Sequence, residues 1–377
     1  MLWQKIMFVI DCLFMPARRN FGKMLLPLLF LLATGPSLAL ADTNYSVLNA
    51  NAIAVAAPNR VLLISIARAG NRLVAVGEHG VIVYSDDNGQ TWRQAVVPVR
   101  ATITTVAFAT PLVGWAGADY GLVLRTTDGG STWTKQIMGV EINRLMTANA
   151  AQFLAKDPNN PKAQAAVRRA SILMSAGPDK PILSIVAMSP QVAMAFGAYR
   201  LAIATNDGGK TWTDLSLQVA DPISHNLYAT AWVGTSLYIA GEAGTVLRSD
   251  DQGRTFSLLP APSENTLFGI FDAGDNIILA YGVAGAAFKS NNQGQIWSRV
   301  NVPGQSNLTA GMTLKSGTIL LANEAGNVFL SSDYGSNFHM ISGNQGMGIF
   351  GVAQAANGNV VLVGTGGVRV VPLSSLN

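Results

Sequence analysis

A chain of 377 residues with 49% hydrophobic and only 12% charged content can bury a large core, which excludes wholesale disorder. Its 38 glycines exclude a helical bundle or coiled coil as the main architecture, since either needs charged faces and little glycine. The formal net charge of +4 is no nucleic-acid footprint: Lys5, Arg18, Arg19 and Lys23 against Asp11 place +3 of it in residues 1–41, leaving 21 basic and 20 acidic groups beyond.

From the N-terminus, the basic stretch Arg18 to Lys23 precedes an apolar run, Met24 to Ala33, and then Ala39-Leu40-Ala41 before Asp42. This is the pattern of an export signal cleaved after Ala41. The apolar run is shorter than the roughly 20 residues a spanning helix needs. Met15 and Met24 are alternative starts to the long prefix. Cys12, the only cysteine, falls in this leader, so the mature chain has no thiol for a disulfide, a metal site or a nucleophile.

Beyond residue 42 an octapeptide recurs. Ser85-Asp86-Asp87-Asn88-Gly89-Gln90-Thr91-Trp92 returns as Thr126-Thr127-Asp128-Gly129-Gly130-Ser131-Thr132-Trp133 and as Thr205-Asn206-Asp207-Gly208-Gly209-Lys210-Thr211-Trp212. Looser copies hold Asp251 and Phe256, Asn292 and Trp297, and Asp333 and Phe338. The closing aromatics are spaced by 41, 79, 44, 41 and 41 residues, so one interval is doubled. A glycine stands five residues before each box, at Gly80, Gly121, Gly244, Gly285 and Gly326, with Arg200 the exception. β-rich stretches flank it, giving four strands in about 41 residues, the size of one propeller blade. The Asp carboxylate suits a tight turn, where it accepts backbone N–H groups, and the aromatic provides a periodic apolar wedge. Asp87, Asp128, Asp207, Asp251, Asn292 and Asp333 therefore read as copies of one structural turn and not as active sites, with Trp92, Trp133, Trp212, Phe256, Trp297 and Phe338 as its wedges.

Six boxed units and a C-terminal unit with three strands (residues 349–353, 360–364 and 368–371) predict an all-β, seven-bladed β-propeller. The segment 45–55 is expected to supply the fourth strand of the last blade and close the ring. The doubled interval holds residues 141–180, whose apolar positions Ile142, Leu145, Met146, Asn149, Ala150 and Phe153 follow helical spacing. With Asp157-Pro158-Asn159-Asn160-Pro161 as a turn and a second helix from Pro161 to Met174, the segment predicts a helical hairpin. It carries six basic and three acidic residues. The hairpin either packs over one mouth of the ring with its charges solvated or forms a partner-binding arm. The expected organisation is thus a signal peptide over 1–41 and a propeller over 42–377.

The octapeptides, the 41-residue spacing, the seven units and the export signal together resemble the photosystem II stability and assembly factor family of lumenal propellers, the BNR or Asp-box repeat proteins. Val123-Leu124-Arg125-Thr126-Thr127-Asp128-Gly129-Gly130 is typical of that resemblance. It implies a non-enzymatic scaffold, without cofactor or bound metal, that holds a membrane or envelope protein during assembly, in the periplasm or, in a photosynthetic source, the thylakoid lumen. A monomeric ring that does not bind nucleic acid is expected.

For the partner patch the candidates are Arg125 and Arg248, which share the position just before the box, Lys289 third in that position, and Arg144, Arg168 and Arg169 of the hairpin; bidentate guanidinium contacts suit carboxylates. The plain alternative is that the strand cations are ordinary solvated residues. The alternative function is an Asp-box glycoside hydrolase, sialidase-like, in the periplasm. Against it, the Arg-Ile-Pro element of sialidases is missing, and three of the five glutamates, Glu78, Glu242 and Glu324, belong to the repeat. His79, His225 and His339 show no metal-ligand spacing.

Overall fold

The computed structural model describes residues 45–221, 223–342 and 346–375. The chain divides into two compact units, Met1–Ser46 and Val47–Asn377. The export signal expected over residues 1–41, with Cys12, lies outside the described residues; the second unit carries the fold.

Its strands form seven antiparallel sheets: β1–β4 (residues 63–94), β5–β8 (103–137), β9–β12 (182–214), β13–β16 (227–258), β17–β20 (267–300), β21–β24 (308–342) and β25–β27 (349–371). The first strands of successive blades touch all the way round, from β1 to β5 and on to β25, which returns to β1. Second strands such as β6 (Gly114–Ala118) and β22 (Ile319–Asn323) are buried along their whole length, because neighbouring blades cover both faces. That double cover replaces the alternation of a half-exposed strand with continuous apolar runs. Fourth strands are short and open to solvent, as in β16 (Ser257–Leu258).

Ring closure departs from the expectation. Among the described residues the seventh blade has three strands, and no strand forms in residues 45–55. Instead Ala52 N–H donates to Val97 O at 3.0 Å and Ile53 N–H to His79 O at 3.3 Å, laying the segment across blade one. The Gln94 side chain fixes this path: its Oε1 accepts from Val55 N–H at 3.0 Å and its Nε2 donates to Ile53 O at 2.7 Å. Backbone groups that would otherwise need a strand partner are satisfied locally. The ring closes through side chains, with Leu63, Val83 and Trp92 of blade one sharing a core with Ala353, Val361 and Val363 of blade seven.

The doubled interval forms two helices, α1 (Gly139–Lys156) and α2 (Pro161–Ser175). Asn160 caps α2, its Oδ1 accepting from Lys162 N–H at 3.0 Å, and Pro161 occupies the first turn, where no amide is needed. The helices meet through Ala150, Ala166 and Ala170, small residues that allow close approach. Ile142, Met146 and Leu173 root the hairpin in the core shared by blades two and three, against Trp115, Ile182 and Trp212. Lys180 is buried and used as a cap, its ammonium donating to Leu173 O at 2.9 Å at the end of α2. The hairpin is thus a packed element.

Candidate functional site

The six boxes lie between the third and fourth strands of six separate blades, on their outer halves, and do not gather around one cleft. In blade one, Asp87 Oδ1 accepts from Gln90 N–H at 3.1 Å and Thr91 N–H at 2.9 Å, Thr91 Oγ1 donates to Oδ2 at 2.5 Å, and Ser85 Oγ donates to Oδ1 at 2.7 Å. Asp128, Asp207, Asp251, Asn292 and Asp333 each take the matching bond from the residue four positions on. Gly89, with φ of 91°, occupies the left-handed region that the turn requires. The hydroxyl of Thr91 and its backbone N–H hold Asp87 down at about 2, and Thr211 does the same for Asp207. Every one of these carboxyl or amide groups is engaged in its own turn.

The strand cations are separated around the ring, and each spans a seam between blades or stays within its own blade. Arg125 stacks over Trp115 at 5.2 Å and donates to Pro190 O at 3.2 Å, linking blades two and three. Lys289 donates to Ser336 Oγ at 2.5 Å, tying blade five to the box of blade six. Arg248 pairs with Asp250 at 2.7 Å in its own blade. Arg72 has the same linking geometry from a different position: it pairs with Asp86 at 2.7 Å, donates to Ser131 Oγ at 2.8 Å and stacks over Tyr84 at 4.3 Å. No contact joins Arg125, Arg248 and Lys289 into one patch. Arg144 and Arg168 are exposed on the hairpin.

Arg169 is placed differently. From α2 its Nη2 donates to Tyr199 O, which brings it to the turn after β10 and close to Arg200. That turn is the irregular one. Tyr199 and Arg200 have φ of 54° and 58°, whereas the second of these positions is glycine at Gly80, Gly121, Gly244 and Gly285. A side chain held in the left-handed region costs about 1–2 kcal/mol. Arg200 is held there by its N–H donating to His225 O at 2.8 Å and its Nη1 donating to Asp221 O.

Two buried carboxylates complete the junction. Asp221 accepts from Ile223 N–H at 3.2 Å and His225 N–H at 2.5 Å, with His225 Nδ1 at 3.2 Å. Asp214 accepts from Ser216 N–H at 2.9 Å and from Asn149 Nδ2 of α1 at 2.8 Å. These acids balance the guanidiniums in charge but are hydrogen-bonded mainly by other donors. The Nε atoms of Arg169 and Arg200 are buried and find no acceptor among the described residues. Burial, then the neighbouring Arg200, pushes Arg169 down to about 10, while Asp214 and Asp221 oppose the shift. Burial lowers Arg200 as well. The two guanidiniums thus gather positive charge at a strained turn, beside the exposed ring of Tyr199, a chemistry that suits a carboxylate.

In the sequence, Arg200 stands out only as the residue that replaces the repeat glycine. Asp214 ends blade three, and Asp221 and His225 lie in a link to blade four that has its own length, so none of them carries a periodic signal. Among the described residues no group of three or more His, Cys, Asp and Glu could hold a metal ion, and no helix is long and apolar enough to cross a membrane.

Residues 173–302 match the family model of the photosynthesis system II assembly factor YCF48, and residues 83–94 match the BNR/Asp-box repeat. No curated protein matches the chain. Among solved structures, YCF48 bound to a D1 peptide is similar with a TM-score of 0.62 at 15% identity, over 84% of this chain and 96% of that one. YCF48 from Cyanidioschyzon merolae is similar at 0.60 and 15%, over 82% and 95%. The WD40 β-propeller domain of Doa1 is similar at 0.60 and 12%, over 86% and 95%. At these identities the likeness is one of fold.

Proposed function

We propose that this chain, which belongs to the photosystem II assembly factor-like BNR propellers, is an exported, non-catalytic scaffold that holds a peptide segment of a membrane or envelope protein during its assembly. The observation that carries the reading is the Arg169–Arg200 pair, two neighbouring, largely desolvated guanidiniums where the hairpin meets blade three. A ring of tight turns supplies a rigid frame, and the hairpin adds a charged, irregular junction to it. The D1 peptide held by YCF48 in one similar structure supports a peptide ligand for a propeller of this shape. The leader pattern supports export.

The test is affinity capture from detergent-solubilised membranes with the chain from residue 42 as bait, beside an Arg169→Ala/Arg200→Ala double variant. One membrane protein should be retained by the first bait and lost from the second. Equal retention by both baits removes the junction from the binding site. Turnover of a sialoside or β-glucoside reporter that a single carboxylate substitution abolishes would replace the scaffold reading with the glycosidase one.

A further inference from the structure

Three large apolar side chains stand open to solvent at the arginine junction: Ile172 is 66% exposed, Tyr199 52% and Ile223 72%. Single exposed apolar residues are ordinary, but several gathered beside charges mark a place of interaction. Contacts join the three in one order. Ile172 lies three positions beyond Arg169 on α2, a spacing that makes the two neighbours on the helix surface. Arg169 donates to Tyr199 O, and Tyr199 directly precedes Arg200, whose Nη1 donates to Asp221 O. Asp221 Oδ1 in turn accepts from Ile223 N–H at 3.2 Å. The two guanidiniums therefore occupy the middle of a run of contacts that ends on an isoleucine at each side, with the Tyr199 ring between them.

The turn that presents the ring is fixed from both sides of its peptide. Tyr199 N–H donates to Asn226 Oδ1 at 2.9 Å, and Asn226 Nδ2 donates to the Tyr228 hydroxyl at 3.2 Å. Ala243 and Ala284 take the same left-handed place in blades four and five, with φ of 50° and 56°, so the turn itself does not require a ring. The charge of the surroundings is one-sided. Helix α2 carries Lys162, Arg168 and Arg169 and no acidic residue, and the exposed Arg168 lies four positions before Ile172. A lipid surface is met by long cationic side chains free to change their depth. Here both guanidiniums are tied to backbone carbonyls and largely removed from water, which suits a ligand of fixed shape.

We propose that Ile172, Tyr199 and Ile223 make the arginine junction selective for a polypeptide segment whose carboxylate is flanked on both sides by large apolar side chains. In an extended segment, side chains two positions apart fall on the same side, so apolar residues two before and two after the acid meet the chain together with it. This rests on the arginine reading above and adds a selection that the guanidiniums cannot make, since charge alone does not distinguish one acidic segment from another.

The test uses the chain from residue 42 and fluorophore-labelled peptides with the core Leu-Ser-Asp-Ser-Leu, its Asn-for-Asp version and its Ser-for-Leu version, titrated by anisotropy. The parent chain should bind the first roughly tenfold more tightly than the Ser-for-Leu peptide. The triple variant Ile172→Ser/Tyr199→Asn/Ile223→Ser should lose that preference and keep the preference for Asp over Asn; asparagine tolerates the left-handed backbone at position 199. Ile296→Thr, which removes a similarly exposed isoleucine from the box of blade five, should change neither preference. A leucine preference that is absent from the parent, survives in the triple variant or is lost equally with Ile296→Thr overturns the proposal; the arginine reading stands if Asp is still preferred to Asn. Equal binding of the Asp and Asn peptides by the parent, or an Asp preference that Arg169→Ala/Arg200→Ala leaves intact, removes the arginine reading and this proposal with it. Phosphatidylglycerol vesicles that sediment the parent and not the triple variant would assign the patch to a lipid surface and overturn the proposal as well.

Discussion

Trp212 meets Trp115 edge-on across the seam between blades three and two, with ring centroids 5.8 Å apart and planes at 88°. Ile142 and Met146 of α1 close over the pair in the same core, so the box aromatic of blade three is also the floor of the hairpin. Trp212→Ala opens a cavity under both and should lower unfolding stability in urea by about 3–5 kcal/mol, with faster proteolysis within residues 139–175. Trp297→Ala, in a seam away from the hairpin, should cost a similar amount and leave that proteolysis unchanged. Equal proteolysis in the two variants would mean that the hairpin holds its place without the seam.

Arg200→Gly restores the residue found at the equivalent turns. Relief of the left-handed strain, about 1–2 kcal/mol, offsets the loss of the hydrogen bond to Asp221 O, about 0.5–1.5 kcal/mol. Folding stability should therefore stay within about 1 kcal/mol of the parent, while the membrane partner is lost from affinity capture. Retained capture would assign the strain at Arg200 to structure alone.

Two sets of carboxyls should give opposite pH dependences. Asp87 and Asp207 are held down at about 2 by hydrogen bonds in their turns. The stability they supply is complete above about pH 4, the unfolded value, and is lost as the pH falls toward 2. Asp119, at the turn after β6, is pushed up to about 6 by burial, against a hydrogen bond from Thr102. The unfolded chain releases this proton near pH 4 and the folded chain only near 6, so stability falls as the pH rises through that window, by an amount on the order of 2 kcal/mol. Urea midpoints from pH 3 to 8 should show Asp119→Asn more stable than the parent at pH 7 and equal to it at pH 3. A constant difference across the range would contradict the assignment.

Two glycines of similar backbone geometry separate the cost of conformation from the cost of contact. Gly317, with φ of 86°, has nothing within 4 Å of an added Cβ, whereas at Gly367, with φ of 91°, that atom would lie 2.0 Å from Asn59 O. Gly317→Ala should lose about 1 kcal/mol. Gly367→Ala should lose roughly 3 kcal/mol or more, because the segment around Asn59 that leads into blade one must move as well. Equal urea midpoints for the two variants would show that the closure is loosely packed.

The blades are legible in the sequence because each repeats the same local solution. Asp87, Gly89 and Trp92 make their turn with bonds of four residues or fewer in span, and local chemistry of that kind leaves its mark wherever it recurs. Helical spacing from Ile142 to Phe153 is legible for the same reason, since one face of α1 must meet the core. The path of residues 45–55 is not, because the side chain of Gln94, some forty positions away, decides it. Nor is the destination of Arg125, whose bond to Pro190 spans a seam that has no counterpart in linear order.

The amino-acid order alone determined the repeat, the number of blades, the turn that ends each third strand and the presence of a helical hairpin. All of these rest on contacts between near neighbours. Tertiary structure decided that residues 45–55 lie across blade one instead of adding a strand to the last blade, that the cations preceding the boxes are scattered around the rim, and that Arg169 and Arg200 share a junction with Asp214 and Asp221. Those outcomes depend on which distant groups compete for the same donors and the same buried space, and that competition exists only once the ring has closed.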